Sequence, residues 1–498
     1  MNSLKYIGWS IAIISTLLSC YKEEITFNNL PNKDLELPLL LNFDDRDCFF
    51  DEQTDHLRYS IAADSIPNFS PVISFKKQSK VLINGKPLIR NKVNNLGTVQ
   101  INKEYPVEIT MQGKTKEFTL SFTNLPMARI TTLNQIVDEP QRLAHWTLYY
   151  ASPDSAEMSS YIGLEYRGAS SQKNPKKSYG FTFLQRKNSE VPVTQSIFGG
   201  VTQEDWILDA VYNDQLKFRN KLSFEIWKAM NPTKNVAIAS NYVEVYLNND
   251  YQGIYCLNEK ISPAYLQLTA YDAVLYKGIN WDGSTSFEFL NDNAPPLYTN
   301  YWDGWEQKYP DTKERVNWGP LFELRDWVLN TSDARFIAEA SNQVDLENMM
   351  DYYLFIYVTG ARDNHGKNMF WLKPTDNSPF YIIPWDVDAA WGRHWDARIL
   401  SPMQPRENKL FERLIALNPD NFTTKLKARW RSLRANSWSN TAIEALLDKE
   451  IKRLAQTDVI ALDNARWGTV VNLELERAYV KGWMGEQYRL LDLYFDNM

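Results

Sequence analysis

The chain has 498 residues, and 54 Lys and Arg against 61 Asp and Glu give a formal net charge of −7. A hydrophobic content of 44% with 23% charged residues excludes a largely disordered chain, and mild acidity without a basic block excludes a dedicated nucleic-acid binder. Three cysteines and four histidines are too few for a disulfide framework or a zinc cluster.

The N-terminus reads as a targeting segment. Lys5 precedes a mainly apolar run, Tyr6 to Leu18, far short of the roughly 20 residues that span a bilayer as a helix. Leu17-Leu18-Ser19-Cys20 then resembles a bacterial lipobox, in which the Cys20 thiol is lipidated. An ordinary secretory signal containing a cysteine is the alternative. Residues 1–19 are expected to be a lipoprotein signal peptide and residues 20–35, with Pro31, a polar tether. The location implied is the cell envelope, at the outer membrane or cell surface, with membrane contact through the lipid alone. Cys48 and Cys256 are expected to be unpaired, buried hydrophobes.

Residues 36–126 carry short β-type runs and turn signals. Val81-Leu82-Ile83 meets the hairpin dipeptide Asn84-Gly85, and alternating runs from Tyr105 and from Lys116 flank Gln112-Gly113. The pattern predicts a small all-β sandwich in the size range of immunoglobulin-like modules, without a catalytic cluster. Residues 127–498 change texture. Strands are expected at Tyr161 to Tyr166, Ser178 to Phe183, Tyr242 to Leu247 and Tyr251 to Leu257, with a helix over 218–230. A Trp-rich irregular stretch follows from about Asn280 to Leu329. Asp345 then looks like the N-cap of a helix ending near Gly360, and the last ninety or so residues read as mainly helical. The order predicts an α+β fold of two lobes.

The chemistry concentrates at Ala361 to Asp388. A polar loop with Asp363 and Asn368 runs into an apolar strand; a turn and a second strand lead to Pro384-Trp385-Asp386. Phosphoryl transfer uses such a set: an Asp that orients or deprotonates the attacking hydroxyl, and an Asn oxygen and a second Asp that hold the metal. Protein kinases space their catalytic-loop Asp and Asn by the same interval. A hairpin would bring the two loops to one end of a sheet. The plain alternative is that Asp363 and Asn368 are turn residues and Asp386 a cap. A second segment, Arg167-Gly168-Ala169-Ser170-Ser171-Gln172-Lys173-Asn174-Pro175-Lys176-Lys177, could cradle phosphates or be a solvated hairpin tip. No HExxH, CxxC or GxSxG motif occurs. His365 and His394 are second-tier candidates beside the acidic loop, whereas His56 and His145 lie far from it in sequence.

Residues 127–498 resemble the CotH family, atypical kinases named after a spore-coat protein. The resemblance rests on RGASSQKNPKKSYGFTF (167–183), FRNKLSFEIWKAM (218–230), VEVYLNNDYQGIYCLNEKI (243–261), EQKYP (306–310), DNHGKNMFWL (363–372), IPWDVDAAWG (383–392), DNARWG (463–468) and WMGEQYRLLD (483–492). It implies a two-lobed, atypical protein-kinase-like domain with ATP between the lobes. Asp363 would be catalytic, Asn368 and Asp386 would hold Mg²⁺ or Mn²⁺, and Lys176 or Lys177 would contact phosphate beneath the turn carrying Arg167, Ser170 and Ser171. Glu259 would be a hinge, lysine-pairing or structural residue, and Arg219 and Glu225 could complete a lysine–glutamate type of pair. The implied function is ATP- and metal-dependent phosphorylation of Ser or Thr hydroxyls on a protein partner. The alternatives are a surface-binding or structural lipoprotein that holds a protein or glycan, and transfer to another acceptor such as a sugar.

Overall fold

The computed structural model describes residues 41–151, 157–187, 189–280, 284–289, 294–402 and 408–498. The expected signal peptide, the lipidation site Cys20 and the tether lie outside the described residues. No helix among those described is long and apolar enough to cross a membrane.

The first module is all-β. The expected hairpins form at Asn84-Gly85 and Gln112-Gly113, where Leu82 pairs with Pro87 and Met111 with Lys114. The second hairpin is extended by a parallel pairing of Lys114–Thr123 with His56–Ser60. Leu57, Val81, Ile83, Val107, Leu120 and Phe122 fill the core beneath this sheet. The module is docked onto the rest of the chain. Buried Arg58 pairs with Glu244 at 2.7 Å and with Asp458 at 2.6 Å, and Phe49 packs edge-on against Tyr246 at 5.3 Å.

The next strands close into a barrel. Its order is Met127–Thr131, Arg142–Tyr149, Met158–Arg167, Ser178–Leu184, Asp205–Asp209, Asp250–Glu259 and Ser240–Leu247, which pairs back in parallel with Met127–Thr131. Strict alternation fills the interior: Ala128 and Ile130, Trp146 and Leu148, Ile162 and Leu164, Phe181 and Phe183, Trp206 and Leu208, Val243 and Val245, Tyr255 and Leu257. The intervening Ile207, Tyr242, Ile254 and Cys256 face a second, larger core. Cys48 and Cys256 are both unpaired and buried, as expected.

That larger core belongs to a five-stranded antiparallel sheet and surrounding helices. The strand order is Tyr301–Trp302, Trp305–Tyr309, Val274–Gly278, Met369–Lys373, Tyr381–Pro384. The stretch expected to be irregular therefore contains two of these strands and the helix Gly319–Asn330. Its tryptophans are packing residues: Trp305 and Trp327 are buried, and Trp327 stacks on Phe336 at 4.1 Å. Helix Arg219–Met230 joins the barrel to this core, and five helices occupy Lys409 to Asn497. The whole is α+β.

Candidate functional site

Helix Leu346–Thr359 delivers the first loop. The Asp345 carboxylate caps it by accepting the Asn348 N–H at 2.9 Å. It stops at Gly360 in the left-handed region, φ 66°, where a Cβ would lie 2.8 Å from the Trp483 ring. One 3₁₀ turn, Asp363–His365, follows. Strand Met369–Lys373 then pairs with Tyr381–Pro384, with Met369 opposite Pro384. The hairpin thus places Asn368 just before one strand and Asp386 just beyond the other, at one end of the sheet. Asn368 Nδ2 lies 3.5 Å from the Asp386 carbonyl. Both residues have positive φ, 56° and 52°, a conformation Asn and Asp tolerate better than bulkier residues.

Asn364 locks the two loops. Its buried amide donates to the Asn368 carbonyl at 2.7 Å and the Trp385 carbonyl at 2.9 Å. The Trp385 N–H donates to Asn368 O at 2.9 Å, and the Asn368 N–H to Gly278 O at 3.0 Å. These backbone bonds fix the loops against the strand Val274–Gly278. The Asp363 carboxylate faces the Lys367 ammonium at 3.0 Å.

Acidic groups converge here. The Asp388 carboxyl is pushed well up, first by burial and then by Asp386, Asp209, Asp214 and Asp363. Burial also raises Asp209, with Asp386 adding to it and the Val211 N–H and Arg167 opposing. Asp209 ends a barrel strand, so barrel and sheet meet at this point. No group of three or more His, Cys, Asp or Glu side chains is arranged to hold a metal among the described residues. The Asn368 amide oxygen and the Asp386 carboxylate have no hydrogen-bond or ion-pair partner among those residues. As hard oxygen donors they fit Mg²⁺ or Mn²⁺, which keep water and nucleotide phosphates as their other ligands.

The remaining residues singled out in the sequence lie as follows. Gly168 has φ 98° and no room for a Cβ, which would fall 2.0 Å from Ser171 Oγ. Ser170 and Ser171 open the 3₁₀ turn Ser170–Lys173. Arg167 leaves the barrel and lies over the Trp385 ring, 5.6 Å from its centroid. Lys176 and Lys177 precede the strand that starts at Ser178. Lys176 is buried and donates to Asp463 and to Ile254 O, both at 2.5 Å. Lys177 bonds back to its own turn at Gln172 O and Asn174 O.

Glu259 is a structural strut: its buried carboxylate accepts N–H bonds from Val201 at 2.8 Å and Ala239 at 2.7 Å. Arg219 pairs with Asp214 at 2.5 Å and with Glu476, whereas Glu225 pairs with Lys221 on its own helix. His365 is buried edge-on against Tyr357, and burial lowers its pKa to about 3. Burial thus favours the neutral imidazole, packed as a structural side chain. His394 lies beside Trp395 at 6.3 Å.

Sequence reasoning missed Asn364 and Asp209. Asn364 lay within the quoted loop, but one amide bridging two carbonyls has no linear signature.

Residues 164–491 match the family model described as CotH kinase protein. The chain is also 26% identical over 236 residues to the inner spore coat protein H of Bacillus subtilis (strain 168), an alignment covering 47% of this chain and 59% of that protein. The chain thus spans about six-tenths of the length of this curated relative. With the family match extending over about two-thirds of its length, the chain belongs to the CotH family.

Proposed function

We propose that this chain is an ATP-dependent protein kinase of the cell envelope, tethered through lipid on Cys20. The observation that supports this most is the convergence of Asp363, Asn368 and Asp386 at one sheet end, held by the Asn364 bridge. Asp363, oriented by Lys367, accepts the proton of an acceptor Ser or Thr hydroxyl. The hydroxyl oxygen forms a bond to the γ-phosphorus as the bond to the β-phosphate oxygen breaks, and ADP departs. A divalent cation held by Asn368 and Asp386 would neutralise phosphate charge. In this reading the barrel and the α+β unit take the places of the two kinase lobes, meeting where Arg167 covers the Trp385 ring.

The test is autophosphorylation and transfer to a generic Ser/Thr substrate by purified protein lacking residues 1–20, with Mn²⁺-ATP. Asp363→Ala and Asp386→Ala should each lose transfer, while wild-type protein that neither binds nucleotide nor transfers phosphate contradicts the reading.

A further inference from the structure

Charge is spread unevenly along the chain. The whole carries a formal −7, yet no Asp or Glu occurs from Ser65 to Lys103, a stretch that holds Lys76, Lys77, Lys80, Lys86, Arg90, Lys92 and Lys103. These cations stand singly or in one adjacent pair, so no basic block marks them in the sequence. Folding gathers the first six on one flank of the all-β module.

The module has two main sheets, and this stretch supplies the outer strand of each. Lys86–Pro87 ends the sheet that begins with Phe49–Asp51, and Lys92–Val93 ends the one that begins with Arg46–Asp47. The chain crosses between the two sheets twice here, over 75–78 and over 88–91. The crossings are tied together: Arg90 Nε donates to Phe75 O at 2.5 Å, the Asn91 N–H to Ile73 O at 2.8 Å, and Ser74 Oγ to Asn91 Oδ1 at 3.0 Å. Lys76, Lys77 and Arg90 lie on the crossings, Lys86 and Lys92 on the short strands that flank the second, and Lys80 on the strand between. All six are exposed, and none has an ion-pair partner among the described residues. Two carboxylates border the flank: Asp44, which accepts the Val72 N–H at 2.8 Å, and Glu108, opposite Leu82.

Apolar side chains stand among these cations. Ile89 and Val93 are 66% and 64% exposed, and Val93 pairs across the strands with exposed Val72. Lysines alone would merely guard a sheet edge against pairing. Protruding aliphatic groups between them are the composition of a membrane-contact surface, where apolar groups enter the interface and cations meet headgroup phosphates. Position in the chain selects the same occupant. Strand Asn42–Phe43, near the start of the described residues, pairs with Val72–Ser74, the neighbour of Lys92–Val93. The 20 residues between Cys20 and Leu41 reach at most about 70 Å when extended, so a lipid on Cys20 keeps this flank near the bilayer.

We propose that the flank built from Lys76 to Val93 docks on anionic phospholipid headgroups, so that membrane contact is not through the lipid alone. The docked module then sets how the barrel, tied to it through Arg58, faces the bilayer. The proximity argument rests on the Cys20 anchor; the headgroup affinity does not.

The experiment sediments the chain lacking residues 1–20 with vesicles of phosphatidylglycerol and phosphatidylcholine in equal amounts, and with phosphatidylcholine alone. Binding is expected to the first only, falling steeply as NaCl rises from about 50 to about 500 mM. Lys86→Gln/Lys92→Gln should weaken it about tenfold or more. Ile89→Ser/Val93→Ser should weaken it while leaving the salt dependence in place. Arg335→Gln/Arg431→Gln, at exposed positions on two helices, should leave it unchanged. Equal affinity for both vesicle types, equal loss in the two charge variants, or tighter binding to dextran sulfate than to the anionic vesicles overturns the proposal. Palmitate labelling of the full chain in a bacterial host reports the anchor separately: no label at Cys20 with vesicle binding retained defeats the anchor and keeps the flank.

Discussion

The Asn364 side-chain amide sits 2.7 Å from the backbone carbonyl of Asn368, and the same nitrogen reaches Trp385 O at 2.9 Å. One neutral side chain thereby holds the two loops that bear the candidate metal ligands. Asn364→Leu keeps the volume but removes both bonds and leaves the Trp385 carbonyl without this partner. The expected cost is about 2–4 kcal/mol, from two lost bonds and a buried acceptor. Thermal unfolding should show the fall, and kcat should drop more than KM rises because Asn368 and Asp386 lose their relative placement.

Asp388 makes stability depend on pH. Its folded-state pKa is raised above the ordinary carboxylate value of 3.8. Above that value the unfolded chain releases the proton while the folded chain retains it, so the folded state binds more protons and stability falls as pH rises. Asp388→Asn removes this dependence. The Tm of wild type and variant should nearly coincide at pH 4 and separate toward pH 7, with the variant higher; Mn²⁺ should raise wild-type Tm more at pH 7 than at pH 5.

The Lys176–Asp463–Lys217 cluster is buried, and the two lysines hold the Asp463 carboxyl below its ordinary range against the opposing effect of burial. Asp463→Ala leaves two buried ammonium groups without a counter-ion, at a cost of about 3–5 kcal/mol. Lys176→Met should be milder, because Lys217 still faces Asp463. Its effect should register in denaturant midpoint rather than in the ATP KM.

Arg58 ties the all-β module to the barrel through Glu244 and to the C-terminal helices through Asp458. Arg58→Met strands a Glu244 carboxylate that is 0% exposed. A loss of about 3–5 kcal/mol is expected, with lower yield for a chain beginning at residue 127, which would also uncover Tyr246. Equal melting temperatures for the full and shortened chains would show the module to be an independent spacer.

Local pattern made much of this legible. Alternation located the strands that contain Tyr166, Phe183, Leu247 and Leu257, and the Asp345 cap and Gly360 stop bounded the helix that presents the loop. The Asp–Asn interval and the following hairpin pointed to the two loops that the structure brings together. Barrel closure was not legible. It depends on Met127 pairing with Glu244, 117 residues away, and alternation reports which face a residue takes but not its distant partner. The partners of Lys176 were hidden for the same reason: Asp463 lies in a C-terminal helix.

The most direct measurement is phosphoryl transfer from γ-labelled Mn²⁺-ATP by the mature chain beside Asp363→Ala and Asp386→Ala. The account predicts label on protein hydroxyls with wild type and a loss of at least about 100-fold in each variant, in line with removal of a general base or a metal ligand. Equal incorporation by wild type and both variants, or none by folded wild type with nucleotide bound, would contradict it.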